Sequence, residues 1–386
     1  MSTSTTAQHR DPLDAAVRLV PAIREAAPEI DAARQLPPEI VKAMRDAGLF
    51  HTNVPAVYGG GQCDPVTTCR VIETVAAADG SAGWCLMIAA QNATIAGFVE
   101  PSFAARIWGN GGIAAGSARP IGRADPEGDG FRVNGRWPFA SGSSHATWFA
   151  GESILYRDGE PVRDEAGNPR SAFAVVPRED VTIHDTWFTT GLRGTASNDF
   201  SIDGRWLPAG QVVSLGEPYL DWPMYRSLAL MFTTHGAQGL GIGEAAIATA
   251  IETARTKIGW GTDRPMTENA RMQLAVAEAV VLVESAKEHL HGATNRLWET
   301  LSRGEQPGAL NGRARLASSH AVTATVRAVD LLHSALATSS IFSKNALERQ
   351  FRDIHTAAAH VMVGPLTYEA AGRVEMGLPA GMPFFE

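Results

Sequence analysis

The hydrophobic and polar positions of this chain fall into three textures. From Pro12 to about Ala33 the apolar residues Ala15, Leu19, Ile23 and Ala26 recur at helical spacing. Leu36-Pro-Pro-Glu-Ile-Val-Lys-Ala-Met-Arg-Asp-Ala-Gly48 predicts a short helix, opened by Pro37 and Pro38 and closed by Gly48. Val54-Pro-Ala-Val-Tyr-Gly-Gly-Gly61 reads as a turn whose glycines permit positive φ. Residues 64–78 and 81–98 predict two further helices. The second is apolar nearly all round, which predicts burial, and Ser81 is its expected N-cap. Trp84 and Asn92 lie on it about 80° apart. An asparagine buried there needs a hydrogen-bonding partner or a ligand.

After Gly111 the pattern changes to alternation punctuated by Asp, Gly and Asn turns. Gly128-Asp-Gly-Phe-Arg-Val-Asn-Gly-Arg-Trp, Ala172-Phe-Ala-Val-Val and Val181-Thr-Ile-His predict an antiparallel β region running to about Leu207. From Gly236 the helical period returns, with helices near 238–258, 267–302, 309–339 and 345–372. Helices, then strands, then helices imply an α+β protein in layers. The expected boundaries are 1–110 for an N-terminal helical domain, 111–215 for a central β domain and 216–386 for a C-terminal helical bundle.

Composition narrows the function. Apolar content of 45% and charged content of 19% fit a globular protein. The net charge of −8, with no basic run, argues against nucleic-acid binding. Cys63, Cys69 and Cys85 form no C-x-x-C, so neither a disulfide framework nor a zinc site is expected, and a reducing cytoplasmic setting is. The polar stretch Met1–Arg10 is expected to fray, and no apolar window reaches the length of a membrane span.

Candidate chemistry gathers near the C-terminus, in Phe351-Arg-Asp-Ile-His-Thr-Ala-Ala-Ala-His360. On a continuous helix Asp353 and His360 would lie about 20° apart, with small Ala357 between them and His355 turned away. A carboxylate on that face could orient or tune the imidazole. Packing in a helix core is the plainer account of the same histidine. Gly239-Leu-Gly-Ile-Gly243 follows no strand, so close helix packing explains it better than a dinucleotide loop. His289 and His291 diverge on a helix, which disfavours a metal site. Ser117 and Ser141 stand in no G-x-S-x-G elbow. Asn134-Gly-Arg-Trp-Pro-Phe-Ala-Ser-Gly142 reads as a strand on which Trp137 and Phe139 share a face and could wall a flat ligand, with Ser141 and Gly142 bringing a hydroxyl and bare backbone close to it. A strand with core aromatics and a polar turn reads equally well.

Several of these segments, in order, resemble the acyl-CoA dehydrogenase fold. They are Leu36-Pro-Pro-Glu with Gly48-Leu-Phe, Val54-Pro-Ala-Val-Tyr-Gly-Gly, Asn134-Gly-Arg-Trp-Pro-Phe-Ala-Ser-Gly, Gly191-Leu-Arg-Gly-Thr-Ala-Ser-Asn-Asp-Phe and Arg352-Asp353. The resemblance spans about residues 12–375. It implies an N-terminal helical domain, a central antiparallel β domain and a C-terminal four-helix bundle. Departures point to one branch. Where dehydrogenases place Tyr-Glu after the Arg-Asp pair, this chain has His360-Val361, and Tyr368-Glu369 comes two turns too late. Ala335–Arg349 replaces the usual Gln-x-x-Gly-Gly segment. The pattern is similar to the flavin-dependent monooxygenases of this fold, the oxygenase halves of two-component systems.

That resemblance implies reduced FMN or FAD, with FMN slightly preferred, supplied by a separate flavin reductase. Dioxygen is then the co-substrate, and an oxygen adduct at the flavin C4a position oxygenates a small aromatic or heteroatom-containing molecule. Ser141 would hold the N5 edge of the flavin, with Ser117, Trp84, Trp137 and Gly142 beside it and Arg226 as a cofactor-holding arginine. His360, tuned by Asp353, would act toward the substrate or the adduct. Asn92 stands where phenol-hydroxylating relatives often have histidine, and it cannot take a proton near neutral pH. A homotetramer is implied too, and the stripes Leu240, Ile247, Ala250 and Leu274, Ala277, Val281 suit either assembly or an internal bundle. Two alternatives remain open: a dehydrogenase using Glu369 or Glu244 as its base, and a non-catalytic flavin-binding or ligand-binding member.

Overall fold

The structure is a computed structural model describing residues 11–259, 261–382 and 385; the stretch expected to fray, Met1–Arg10, lies outside them. Helix α1 (Pro12–Ala33) is capped by Asp11, whose carboxylate accepts the Leu13 N–H at 2.8 Å. Helix α2 (Pro38–Asp46) gives way at Gly48, where φ is 74°. Then come α3 (Pro65–Ala76), α4 (Gly80–Thr94) and α5 (Pro101–Trp108). The apolar α4 is buried along almost its whole length, as its pattern requires. Its cap is Asp79, which accepts the Ala82 N–H at 2.9 Å, and not Ser81. The carboxylate two residues earlier takes the free Ala82 amide, so Ser81 falls inside the first turn.

The described strands are β1 (Ala114–Glu127), β2 (Gly130–Ala140), β3 (Trp148–Arg157), β4 (Glu160–Pro161), β5 (Ser171–Pro177), β6 (Thr182–His184), β7 (Asn198–Pro208) and β8 (Val212–Val213). They form one sheet in the order β6-β7-β2-β1-β3-β5-β8, with β4 paired to β3. The pairing is antiparallel except between β1 and β3. That parallel pair departs from the all-antiparallel expectation for a topological reason. Strands β2 and β3 flank β1 on opposite sides, so the chain leaving β2 must cross the end of β1. The crossover is the segment 141–147, pinned where Thr147 N–H meets the Ile113 carbonyl at 2.8 Å. It carries the serine and glycine singled out above.

The chain returns to helices with α6 (Thr233–Thr256), α7 (Ala270–Ser302), α8 (Leu310–Leu336), α9 (Ala346–Ala358) and α10 (Pro365–Glu375). The glycine triplet of α6 serves close packing. A Cβ at Gly241 would stand 2.4 Å from the Glu73 carbonyl oxygen of α3, and one at Gly243 would stand 3.0 Å from Thr325 of α8. The α6 stripe of Leu240 and Ala250 is buried in this core, while Leu274 and Val281 of α7 are exposed.

The helix expected over 345–372 is two helices. α9 stops at Ala358, His360 is extended with φ −70° and ψ 132°, and Pro365 opens α10. Pro365 drives its preceding residue Gly364 out of the helical region and so sets the start of α10, but it lies too far along to set the end of α9. The bundle therefore has a broken fourth member. Loop 190–197, just before β7, presses onto α9 so closely that a Cβ at Gly191 would lie 2.1 Å from the Arg352 carbonyl oxygen. Among the described residues no helix is long and apolar enough to cross a membrane.

Candidate active site

A directed chain of hydroxyl groups leads from loop 190–197 to α4. Thr195 Oγ1 donates to the Leu192 carbonyl at 2.8 Å and lies 2.7 Å from Ser197 Oγ. Ser197 Oγ lies 2.7 Å from Ser141 Oγ, which accepts the Trp84 Nε1–H at 3.0 Å. A carbonyl only accepts and an indole only donates, so both ends of the chain are fixed. The Thr195 proton is committed to Leu192, so Ser197 must donate to Thr195 and Ser141 to Ser197. Ser141 is left with one free lone pair and no free proton. All three hydroxyls are buried, where such an arrangement is rigid.

The indole of Trp84 continues into an imidazole pair. Its ring centroid lies 5.6 Å from that of His360 and 5.7 Å from that of His235, both edge-on, and the two imidazoles are 4.7 Å apart. His360 is partly buried, and its Nδ1 accepts the Met362 N–H at 3.3 Å. Desolvation, helped by the Arg315 charge, pushes its pKa down to about 4. The ring is therefore neutral at pH 7, and the hydrogen bond to Nδ1 places its proton on Nε2. His235, near the start of α6, is buried and held well below its usual pKa, first by desolvation and then by its neighbours His360 and Arg315. Its Nε2 has no partner. A buried polar atom left open like this marks a place for a ligand or water.

The structure separates residues that the sequence reading had put together. Asp353 does not share a face with His360, because α9 ends between them. Its carboxylate accepts the Leu192 N–H at 2.6 Å. Burial, with Asp79 nearby, raises its pKa to about 7 against the pull of Leu192 N–H, Arg349 and Arg352. Asp353 thus ties α9 to the loop that starts the hydroxyl chain. Trp137 does not wall an open face with Phe139. The β2–β7 register shifts between Trp137 and Ala140, and Phe139 takes φ 66°. Trp137 is fully buried, stacked on Phe200 at 5.2 Å with Nε1 donating to the Glu152 carbonyl, while Phe139 is 56% exposed. The bulge breaks the alternation on which the shared face depended.

Asn92 donates to the Ile88 carbonyl of its own helix at 2.9 Å. Arg226 is committed to the Leu301 carbonyl at 2.7 Å and to Asp221 at 2.8 Å. Ser117 is buried on β1 opposite Gly151, next to a register shift. The described contacts join none of these three to the Trp84–Ser141 group. His235 escaped the sequence reading, although Thr233-Thr234-His235 and Gln238 make a polar cluster just ahead of the small and apolar stretch Gly239–Gly243. The carboxylates of the dehydrogenase alternative are elsewhere: Glu369 is exposed on α10, and Glu244 pairs with Lys287 at 2.6 Å. Among the described residues no cluster of His, Cys, Asp and Glu could hold a metal ion.

A reduced flavin fits the residues present. Its N5–H is a donor that matches the open lone pair of Ser141. Gly142, at φ 82°, gives bare backbone beside it, where a Cβ would come within 3.1 Å of His145. The exposed Phe139 ring meets Trp187 edge-on at 6.3 Å, offering a flat apolar rim next to that turn.

Comparison with known proteins agrees with this architecture. Residues 6–100 match the acyl-CoA dehydrogenase N-terminal domain and residues 233–365 the acyl-CoA dehydrogenase C-terminal domain. Fold and site therefore define a flavin-using oxidoreductase of α+β, acyl-CoA dehydrogenase-like architecture. The chain is 30% identical over 359 residues to the indole-3-acetate monooxygenase of Pseudomonas putida, covering 90% of this chain and 89% of the relative. It is 28% identical over 398 residues to the flavin-dependent monooxygenase oxygenase subunit HsaA of Mycobacterium tuberculosis, covering 98% and 99%. The crystal structure of 3-HSA hydroxylase from Rhodococcus sp. RHA1 superposes with a TM-score of 0.88 at 27% identity, covering 96% of this chain and 97% of that one. The chain belongs to the flavin-dependent monooxygenases of the acyl-CoA dehydrogenase fold, the oxygenase components that work with reduced flavin.

Proposed function

We propose that this oxygenase takes reduced FMN or FAD from a separate flavin reductase and inserts one oxygen atom into a small aromatic substrate. The observation that carries the reading is the polarity of the hydroxyl chain, which leaves Ser141 an acceptor suited to the N5–H of a reduced flavin. The names of the relatives support the rest: one is called an oxygenase subunit, and another acts on indole-3-acetate. When bound, the flavin supplies the activation of dioxygen.

The residues of the chain do the positioning. Ser141, locked by Ser197 and Trp84, holds the flavin edge. His360 is neutral and presents Nε2–H, so it serves as a hydrogen-bond donor toward the reacting oxygen; burial makes it a poor base. Its packing edge-on against Trp84 and tilted over His235 fixes the ring and keeps that region dry. Asp353 acts through the loop and not on His360. The exposed Leu274 and Val281 of α7 support assembly with further copies of the chain, to a tetramer.

The test supplies anaerobically reduced FMN or FAD, then isotopically labelled dioxygen, with a panel of phenols, indoles and thioethers. Product carrying one labelled oxygen is expected. Quantitative peroxide release with every substrate, together with flavin reduction by an acyl-CoA, would overturn the proposal.

A further inference from the structure

Helix α8 carries a charge that no described acid answers. Arg315 lies on its buried face and is 0% exposed. The flat faces of the guanidinium are covered, with Cζ 4.4 Å from the Phe232 ring centroid and 4.6 Å from that of Phe385. Its Nη2 lies 3.4 Å from the Met362 sulfur and 3.5 Å from the Met362 carbonyl. Nε and Nη1 have no partner, and no described carboxylate acts on the group. Desolvation lowers its pKa only to about 10, so it is charged at pH 7.

A buried ion without a counter-ion weighs against folding. Its position says what it is kept for. The Phe232 ring that it covers also stacks on His235 at 6.1 Å, and Met362, which it touches, gives its N–H to His360 Nδ1. The cation therefore stands one residue removed from each imidazole. The acids of the surrounding helices are turned elsewhere. On α4, Asp79 faces Arg349 at 3.7 Å, and on α6, Glu244 pairs with Lys287. On α8, Asp330 meets His355, and on α9, Asp353 takes the Leu192 N–H. From α4 the imidazoles meet uncharged Trp84 and Gln91, the latter with Nε2 3.2 Å from His235 Nδ1. Arg315 is the charge that bears on both rings.

We propose that Arg315 is a positioning residue for the oxygenation, its unanswered charge holding the His235–His360 pair neutral from behind while the space in front of the pair admits ligand and water. Burial is the larger cause of that neutrality in the closed protein. It is also the cause that yields first, because entering water relieves desolvation and lets an imidazole regain its ordinary proton affinity. The Arg315 charge is sealed beneath Phe232, Phe385 and Met362, so it is screened little and does not relax in that way. His360 then keeps a single proton and stays a hydrogen-bond donor. A second proton would make it an acid beside the reacting oxygen. The inference rests on the monooxygenase reading for that oxygen, but its test needs no turnover.

Imidazole NMR of the flavin-free protein, grown with carbon-13-labelled histidine, tests the proposal; His235→Gln and His360→Gln assign the two rings. In the native protein neither ring should take up a proton between about pH 8 and about pH 5.5. In Arg315→Met the His360 midpoint should rise by about one pH unit or more, a tenfold gain in proton affinity. Arg315→Lys, which keeps the charge, should return it toward the native value, a rescue that a packing role would not predict. Repeating the native titration with reduced FMN, or reduced FAD, bound anaerobically should leave His360 neutral over the same range. An unchanged midpoint in folded Arg315→Met overturns the proposal and leaves the arginine a packing residue. So does a native His235 or His360 that titrates like a free imidazole, with flavin or without, and that result requires no folded variant. Failure of both reduced flavins to bind would count against the monooxygenase reading alone, since the flavin-free titration still decides the role of Arg315.

Discussion

Replacing Ser197 with alanine tests the directed hydroxyl chain without touching Trp84 or Ser141. In the native protein Ser197 takes the Ser141 proton and gives its own to Thr195, both across 2.7 Å. Two neutral buried hydrogen bonds are worth about 1 kcal/mol each, so a loss of about 2 kcal/mol in unfolding free energy is expected. The functional effect is more specific. Once freed, the Ser141 proton can rotate toward the flavin and donate to the bare N5 of the oxidised form. Oxidised flavin should gain about one hydrogen bond, so the ratio of its dissociation constant to that of the reduced form should fall about fivefold. Anaerobic fluorescence titrations with each redox form measure that ratio directly. Ser197→Thr, which restores a hydroxyl, should restore it. If the alanine variant is destabilised as expected but its ratio is unchanged, Ser197 does not set the direction of Ser141, and the account of redox selectivity fails.

Further predictions follow from the same geometry. His360→Ala should still bind reduced flavin but lose coupling, with product formed per dioxygen consumed falling about tenfold or more and peroxide appearing instead; an unaltered ratio would remove His360 from the chemistry. Asp353, raised to about 7 when folded, holds a proton between about pH 4 and 7 that the unfolded chain has released. Its contribution to stability is therefore full at low pH and is lost as pH rises through 7. Urea unfolding of Asp353→Asn, which keeps an acceptor for Leu192, should show that slope removed relative to the parent; parallel curves would mean Asp353 titrates normally. If the proposed tetramer forms through α7, a double change of Leu274→Glu and Val281→Glu should lower the mass read by light scattering, with secondary structure intact; an unchanged mass would refute that contact.

The layered fold could be read from the period of the hydrophobic pattern because long amphipathic helices and alternating strands each repeat many times. Single breaks in that pattern were harder to weigh. Ala357, Ala358 and Ala359 favour helix so strongly that the end of α9 beside them was masked, whereas the later break at Gly364-Pro365 was visible. Trp137 and Phe139 sit two apart, and alternation puts them on one face unless a bulge intervenes. The bulge arises from the pairing with β7, which only the assembled sheet defines. The polar chain from Thr195 to Trp84 joins loop 190–197, the β2–β3 crossover and α4, and no local spacing relates those three. His235 was more accessible, since Thr233, Thr234, His235 and Gln238 set a run of polar residues at the head of a helix whose next residues are small or apolar.

The contact of loop 190–197 with α9 bears on how chains of this kind can be recombined. Gly191 accepts only a bare position against the Arg352 carbonyl, and Leu192 N–H needs the Asp353 carboxylate. A β segment grafted from a cousin would bring its own Ser141 and Ser197 equivalents but would land on a foreign α9 surface. The heritable module is therefore discontinuous, made of residues 114–208 together with 346–358, far apart in the gene and touching in space. Chimeras that exchange both pieces should assemble a working seam. Those with a single crossover between Pro208 and Ala346 inherit two halves selected in different backgrounds, and loss of grip on the flavin edge should be their characteristic defect.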